Sequence, residues 1–283
     1  MIPSGQIAVG VDDLFVVHTD GDLYLHPGIL SGSGDTAVRI ADREDPRVSL
    51  GDGHFPNTID QVAGEADGAV YFSDCCEPVA GNVHVVTQAD STEQLFASGS
   101  SPRLSPDRRR LGTANSFGVA VVDLGEGTQR FVSLNLSGPY LNVWDALWSA
   151  DGESLYVLYF DDAGYGVLTF DSDTLAASAP ERIDLPFVAP GEPDARFAGR
   201  GPNGELAISV TSDESTEVEF FDPTSLQRVV ALDRTLPAGT SSVRIAPDDR
   251  GLLWVDDESL YYLPDGASAI NLGASYLSAW FTG

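Results

Sequence analysis

The chain repeats one short unit along most of its length, and this periodicity restricts the possible folds more than any other feature. Each copy is an apolar segment, a turn rich in Ser, Pro, Asp and Gly, and a second apolar segment. The turns centre on residues 67, 107, 151, 203 and 248, so they lie 40, 44, 52 and 45 residues apart. Repeats of ~40–50 residues are typical of β-propeller blades. The clearest copies are Glu65-Ala66-Asp67-Gly68, Arg103-Leu104-Ser105-Pro106-Asp107, Leu147-Trp148-Ser149-Ala150-Asp151-Gly152, Arg200-Gly201-Pro202-Asn203-Gly204 and Arg244-Ile245-Ala246-Pro247-Asp248, with a weaker sixth at Val9-Gly10-Val11-Asp12-Asp13.

The segments that flank the turns have the composition of β-strands. Ser154 to Phe160 and Leu252 to Val255 are short, rich in aromatic and β-branched residues, and bounded by turn formers. No segment has a sustained helical period, and the 29 Gly and 17 Pro suit many tight turns. We therefore predict an all-β chain that folds as a six-bladed β-propeller of four-stranded antiparallel blades. One domain would span residues 1–283, with approximate blades at 6–41, 57–97, 101–133, 143–184, 194–233 and 241–272.

The last residues of the chain are a candidate strand for closing the ring. Residues 274–281 resemble an inner strand such as the one at Trp144 to Ser149. Pairing of this segment with the N-terminal blade would remove the open sheet edges. The alternative is a native chain that continues past Gly283.

The repeat carries a family resemblance. The strand, Ser-Pro-Asp-Gly-type turn and strand at 103–113, 147–158 and 244–255 resemble the repeat of TolB-like and WD40-like propellers. No copy of the repeat has both the Gly-His and the Trp-Asp pair of true WD40 repeats. Gly-His occurs once, at Gly53-His54, and the one Trp-Asp pair, Trp144-Asp145, lies before a first strand, which is the wrong place. The resemblance implies a fold, and it extends to periplasmic scaffolds, sensor ectodomains, peptidase gating domains and lactonase-like enzymes. Function does not transfer with such a fold.

The charge of the chain excludes several classes of partner. Asp and Glu total 43, the 15 basic residues are all Arg, and the net charge is −28. Binding to nucleic acid or to anionic membranes needs clustered cations, so neither is expected. No apolar run approaches the ~20 residues that span a bilayer, so this segment is not expected to insert into a membrane. We expect a monomeric, extracytoplasmic protein whose leader or anchor is not in this chain, with a cytoplasmic location as the alternative.

The two cysteines of the chain, Cys75 and Cys76, are neighbours in sequence. Such a pair can close a strained vicinal disulfide, which gives little chain-entropy stabilisation but makes a stiff apolar platform or a redox switch. Two buried free thiols or a pair of metal ligands are the alternatives. The flanking Asp74, Glu77 and Pro78 indicate a loop, so we favour the disulfide.

The resemblance also implies where a ligand would bind. Propellers of this kind bind ligands at the face formed by the loops that enter each inner strand and the loops that join second to third strands. We call this the top face. It is predicted to carry a polar-rimmed pocket containing aromatic side chains, which takes a protein, a peptide or a small neutral or cationic ligand because rim acids repel anions. The candidate binding residues are His54, Asn57, Cys75, Cys76, Tyr140, Trp144, Asp145, Asp161, Asp162, Asp194 and Arg196.

Signals for catalysis or for a bound metal are weak. The four histidines form no zinc-binding pattern, and three of them fall on predicted strands as satisfied or surface imidazoles. His54 could be imagined as a general base that Asp60 or Asp145 orients. We nevertheless assign no catalytic residue. No cofactor is predicted. Calcium is possible, because lactonase-like propellers place Asp, Asn and Glu around a central Ca²⁺, and the residues that could contribute are Asn57, Asn115, Asn142, Asp145 and Asp194.

Three functions therefore stay open on the sequence. The first is a non-catalytic propeller that binds a ligand or protein, as an extracytoplasmic sensor or scaffold module. The second is a calcium-dependent lactonase or esterase-like hydrolase. The third is a purely structural propeller within a larger protein. We favour a binding module over an enzyme because no catalytic motif accompanies the repeat.

Overall fold

The turns of the repeat are hairpins held by side-chain hydrogen bonds. In two copies the Ser Oγ donates to the Asp two residues later, from Ser105 to Asp107 and from Ser149 to Asp151, each at 2.6 Å. The same hydroxyls accept from the backbone N–H that begins the next strand, at 3.0 Å from Arg110 and 2.9 Å from Ser154. A turn closed by its own side chains joins two strands at a defined register.

The computed structural model of the chain describes residues 7, 9–33, 36–43, 59–74, 82–87, 94–115, 117–134, 142–185, 194–212, 214–246 and 251–282. The strands of the first three blades are β1 (Leu14–His18), β2 (Leu23–His26), β3 (Val38–Ala41), β4 (Ile59–Ala66), β5 (Ala69–Asp74), β6 (Asn82–Val86), β7 (Gln94–Ser98), β8 (Ser100–Leu104), β9 (Arg110–Asn115), β10 (Gly118–Asp123) and β11 (Gln129–Ser133). The strands of the other three are β12 (Asn142–Trp148), β13 (Ser154–Asp161), β14 (Gly164–Asp171), β15 (Glu181–Arg182), β16 (Asp194–Arg200), β17 (Leu206–Thr211), β18 (Thr216–Phe221), β19 (Arg234–Leu236), β20 (Thr240–Ile245), β21 (Gly251–Asp256), β22 (Ser259–Pro264) and β23 (Ile270–Ala274), and the chain ends with β24 (Tyr276–Phe281).

These strands form six four-stranded antiparallel sheets, which confirms the predicted fold class. In five blades the strands follow chain order, from β4 to β7, β8 to β11, β12 to β15, β16 to β19 and β20 to β23. Val230–Leu232 forms a single 3-10 turn between β18 and β19. In the described part of the chain, no helix has the length and apolar character that crossing a membrane requires.

The hydrophobic core is divided among the contacts between neighbouring blades. Each of six buried clusters joins residues of two adjacent sheets, as where Val119 of blade three packs with Trp148 and Leu155 of blade four. Another cluster joins Leu14 of blade one to Leu253 of blade six. Sheets that are apolar on both faces must pack against a neighbour on each side, and a ring of blades satisfies this condition for all six.

The ring is closed by pairing of the two chain ends. β24 pairs antiparallel with β1, with Phe15 opposite Trp280, so the C-terminal strand is the innermost strand of blade one. Thr282 Oγ1 then donates hydrogen bonds to the carbonyls of Gly10, at 2.7 Å, and Asp13, at 3.2 Å. Blade one therefore begins with its second strand, and the described residues between 7 and 13 form no strand.

Removal of residues 276–283 should destabilise the whole ring rather than one blade. The truncation exposes the backbone edge of β1 and removes the buried side chains of Trp280 and Phe281. We expect the free energy of unfolding to fall by more than about 4 kcal/mol, measured by urea denaturation. A control that lacks only Gly283 should unfold like the intact chain. A truncated protein that unfolds at the wild-type midpoint would show that closure by β24 does not stabilise the ring.

Candidate functional site

Six inner strands surround the central axis of the ring, namely β24, β4, β8, β12, β16 and β20. Consecutive antiparallel strands reverse direction, so the loops that enter the inner strands and the second-to-third loops lie at one end of the axis. This end is the top face defined above. The hairpins from inner to second strands, which carry the repeated turns, lie at the other end, which we call the bottom face. The channel along the axis is the candidate site because all six blades contribute to it.

A buried ion pair joins inner strands that surround the channel. Asp145 on β12 is 0% exposed, and its carboxylate accepts hydrogen bonds from Arg103 Nη2 at 3.2 and 3.0 Å. The same carboxylate accepts from the backbone N–H of Phe197 on β16 at 3.0 Å. Arg103 on β8 also donates to the carbonyls of Ala146, at 3.0 Å, and of Phe197, at 3.1 Å. Gln61 of β4 faces the guanidinium, and with its amide oxygen turned inward it accepts from Nη1 at 2.5 Å and from Nε and Nη2 at 3.0 Å.

We call Gln61, Arg103 and Asp145 the channel lock, because their hydrogen bonds connect the inner strands of blades two to five. A buried ion pair offsets its loss of hydration only when the remaining hydrogen-bonding positions are also filled. Here the Asp145 carboxylate accepts from one guanidinium and two backbone N–H groups, those of Ala146 and Phe197. The charges of Arg103 and Asp145 therefore serve to hold the inner strands together.

Two cavities lie along the axis. The upper one has a volume of about 190 Å³, and its polar lining includes Asp60, Arg196 and four serines. The lower one, towards the bottom face, has a volume of about 660 Å³ and is lined by the ends of all six inner strands. Arg244 and Trp280 line both cavities and so lie between them.

The lining of the lower cavity combines apolar walls with arginine. Its charged lining residues are Arg103, Arg108, Arg200 and Arg244, and no carboxylate is among the described residues that line it. Aromatic and aliphatic walls come mainly from Leu104, Leu147, Trp148, Ile245, Trp280 and Phe281. A cavity of this size with few polar groups is typical of a small-molecule site.

Burial shifts the titration of two of these arginines. Burial, together with the charge of Arg103, lowers the pKa of Arg244 to about 9, against a smaller opposing effect of Asp145 and Asp60. The pKa of Arg200 is also lowered by burial. Arg244 Cζ lies 5.6 Å from the centre of the Trp280 ring, a cation–π contact. Both guanidiniums stay charged at neutral pH and make the lower cavity electropositive inside an acidic protein.

Several predicted binding residues fall at the top of blade four and in the channel. Asp145 lies inside β12 rather than in the loop before it, and its carboxylate is used by the lock. Arg196 is on β16 and lines the upper cavity. Asp161 ends β13 and is ion-paired with Arg182 on the fourth strand of its blade, while Asp162 is exposed in the following turn. The structure thus brings neither Asp161 nor Asp162 to the channel.

The other candidates are described in part or not at all. Trp144 lies in β12 and Asp194 begins β16, but their side chains are outside the described residues. His54, Asn57, Cys75, Cys76 and Tyr140 lie outside the described residues altogether, and with them the predicted disulfide and the rim of the top-face pocket.

Two further expectations have clear outcomes. Tyr165, which with Tyr140 and Trp144 the sequence places in loops of blade four, lies instead on β14, where it is 3% exposed and packs in the core between blades four and five. His84 lies on β6 as predicted, and its Nε2 is 2.7 Å from Oδ2 of the buried Asp74. These side chains support the fold and contribute nothing to the channel.

Sequence reasoning missed Arg103, Arg200, Arg244 and Trp280. A signal was present, since an arginine occurs within two residues of the turn in three copies of the repeat, at 103, 200 and 244. Inner strands converge on the axis, so residues near their ends face the bottom mouth of the channel. Trp280 had no signal apart from its place on the closing strand.

A carboxyl group with a pKa near neutrality lies outside the channel. Glu219 on β18 is 0% exposed, and burial raises its pKa to about 7. Arg228 at 2.8 Å opposes this shift, while Asp233, Glu217 and Asp184 add to it. Glu219 is in blade five, where it lines neither of the two cavities described above. We therefore expect Glu219 to affect the stability of the fold and not the chemistry of the channel.

Breaking the channel lock should cost far more than breaking a surface ion pair. Asp145→Ala leaves the Arg103 charge buried and uncompensated, so we expect a loss of about 3–5 kcal/mol in the free energy of unfolding. The double variant Arg103→Met/Asp145→Leu should lose less than Asp145→Ala. Asp161→Ala, which breaks the exposed pair with Arg182, is the control and should cost less than about 1 kcal/mol. Urea denaturation measures all three, and equal costs for Asp145→Ala and Asp161→Ala would contradict a structural lock.

Glu219 should make stability fall as the pH rises. Its folded pKa of about 7 lies above the ordinary pKa of 4.5 for a glutamate, so its contribution to stability is complete below pH 4.5 and is lost as the pH rises through 7. Glu219→Gln removes this loss. Between pH 5 and pH 8, the free energy of unfolding of the variant should therefore rise by about 1–3 kcal/mol relative to that of the wild type. Denaturation at both pH values measures the gain. Glu217→Gln, two residues away and half-exposed, is the control, and an equal gain there would contradict the assignment to Glu219.

Comparison with known proteins places the fold among propellers. No family model matches the chain, and no curated protein matches it in sequence. TolB from Acinetobacter baumannii superimposes with a TM-score of 0.62 at 14% identity, over 95% of this chain and 66% of that one. A protein of Agrobacterium tumefaciens assigned as TolB gives 0.57 at 14% identity, over 92% and 90% of the two chains.

A third solved structure carries an enzyme assignment. A protein of Bacteroides uniformis assigned as a 6-phosphogluconolactonase gives a TM-score of 0.53 at 15% identity, over 93% of this chain and 83% of that one. At such identities the similarity concerns the fold and leaves activity undetermined. In fold, this chain is a TolB-like six-bladed β-propeller.

Proposed function

We propose that the chain is a non-catalytic binding propeller, a sensor or scaffold module of an extracytoplasmic protein. The observation that carries the proposal is the lower cavity, which has about 660 Å³ of open space at the meeting point of all six blades. Its walls offer apolar surface and guanidinium groups, which are groups that hold a ligand. A protein or peptide partner at the top face remains part of the same proposal.

The chemistry of the lining favours binding over hydrolysis. Hydrolysis without a metal needs a nucleophile beside a base, or an acid whose pKa lies near the working pH. The serine that lines the lower cavity, Ser105, is already bonded to Asp107 and to the backbone N–H of Arg110. Arginine does not exchange protons at neutral pH. The described walls therefore supply contacts and charge, which supports a binding role.

A calcium-dependent lactonase or esterase is the second candidate, favoured by the fold shared with the protein assigned as a 6-phosphogluconolactonase. Calcium binds six to eight oxygens. Of the proposed ligands, Asp145 is bonded to Arg103, and the Asn115 side-chain oxygen accepts from the backbone N–H groups of Phe117 and Gly118. These bonds weaken the calcium candidate, and a purely structural propeller is the third possibility.

Metal analysis and a binding screen test the proposal together. We expect dialysed protein to contain less than a tenth of an equivalent of calcium and to show no calcium-dependent hydrolysis of lactones or aryl esters. One retained equivalent with such hydrolysis would replace the binding role by the enzyme.

The screen measures thermal stabilisation of the protein by a chemically varied set of small molecules. Compounds that bind in the lower cavity should stabilise the wild type and lose the effect in Ala63→Trp, which fills part of that cavity. The control Ala163→Trp, in an exposed turn of blade four, should keep it. A screen in which no compound stabilises the wild type would favour the structural propeller.

A further inference from the structure

The arginines of the lower cavity fall into two groups. Arg103 is neutralised by Asp145, and Arg108 is paired with Glu65 at 3.3 Å. Arg200 and Arg244 form no ion pair with any described residue. Arg244 has one hydrogen bond, from Nη1 to the carbonyl of its neighbour Val243 at 2.7 Å. The cavity therefore carries two positive charges that no described residue neutralises by contact.

Three buried N–H donors of this region also have no acceptor among the described residues. They are Nη1 of Arg200, Nε of Arg244 and Nε1 of Trp280. All three residues line the lower cavity. Trp280 is 3% exposed, so its indole N–H has little access to bulk water. Buried donors are nearly always hydrogen-bonded, and here three residues that line one cavity each keep an unused donor, which we take as support for a ligand that brings an acceptor.

An acceptor from the protein itself would have been easy to supply. The chain has 43 acidic residues against 15 arginines, yet none of the described residues that line the lower cavity is acidic. Asp151 acts on Arg200 through space, but it is exposed and its side chain is bonded to Ser149. Leaving a guanidinium half-buried without a counter-charge is costly. An anion that enters from outside would remove this cost.

The walls limit the kind of anion. Leu104, Leu147, Ile245 and Phe281 add apolar surface around the two arginines. An inorganic ion would leave this surface in contact with water, whereas an organic acid would cover it. Two guanidiniums and an indole N–H match the oxygens of a carboxylate, since the guanidinium is a planar fork of donors.

We propose that the lower cavity is a binding site for an organic carboxylate, whose charged group is held by Arg200, Arg244 and the Trp280 indole and whose apolar body packs on the strand ends. This inference rests on the proposed binding function and names the chemical class of its ligand. It differs from the neutral or cationic ligand expected at the top face, because it concerns the opposite end of the channel.

The net charge of −28 does not prevent such binding. At physiological ionic strength the screening length is about 8 Å, so surface carboxylates act weakly on an ion inside the channel. Of the described residues that line the cavity, Arg200 and Arg244 carry the uncompensated charges that an anion bound there would meet. The acidic surface should slow the approach of an anion more than it weakens the bound state.

Calorimetric titration of the full chain with matched probes tests the assignment. The probes are 4-phenylbutyrate, its uncharged amide 4-phenylbutyramide, and acetate, which has the charge without the apolar body. We expect 4-phenylbutyrate to bind at least tenfold more tightly than either of the others. Equal affinity for the amide would overturn the role of charge, and equal affinity for acetate would overturn the role of the apolar walls.

Variants assign the binding to the two arginines. Arg200→Met and Arg244→Met should each weaken 4-phenylbutyrate binding at least tenfold, and Arg200→Lys should have an intermediate effect. Arg182→Met, which removes a paired arginine of blade four, is the charge-matched control and should change the affinity less than twofold. Unchanged affinity in both cavity variants would overturn the proposal.

The stability of the free variants guards against misfolding as an explanation. Because each cavity variant removes an uncompensated charge, its thermal midpoint without ligand should equal or exceed that of the wild type. A peptide with a free C-terminal phenylalanine, compared with its amidated form, distinguishes a chain terminus from a small acid as the source of the carboxylate. If no carboxylate binds while other compounds lose their effect in Ala63→Trp, the carboxylate inference fails and the binding function stands.

Discussion

The pair formed by Arg103 and Asp145 is the interaction on which the inner ring depends. Four inner strands can approach the axis only if the polar groups between them are satisfied, because water has little access there. One guanidinium from β8 meets a carboxylate from β12, two backbone carbonyls and the side chain of Gln61. The lock thus sets the spacing of blades two to five, and the pairing of β24 with β1 completes the circle on the other side.

The ion pair of the lock determines what the lower cavity can do. The Asp145 carboxylate is consumed by the lock, so it cannot neutralise the arginines nearer the bottom face. Arg200 and Arg244 line the lower cavity, and no carboxylate of the described residues pairs with either of them. One residue type therefore has two roles within the same channel. Arg103 holds strands together, and the other two are suited to hold a ligand.

The fold was predictable because its signals are local. Ser105 and Ser149 close their turns with hydrogen bonds to residues two to five positions away, so the sequence window that contains the turn also contains its cause. The placement of Asp145 was not predictable in the same way. Its neighbours read as a loop, but β12 extends back to Asn142 because it pairs with β13. Its charge is compensated by an arginine 42 residues earlier in the chain.

The amino-acid sequence alone established the repeat, the all-β class, the number of blades and the segment able to close the ring, since turn chemistry and strand composition act over a few residues. It also contained the arginines near the ends of three inner strands, but it did not indicate what each of them would contact. Which arginine is neutralised and which is left facing a cavity depends on the side chains that the other blades bring to the axis. That choice arises only when strands distant in sequence converge, because electrostatic compensation is a property of neighbours in space.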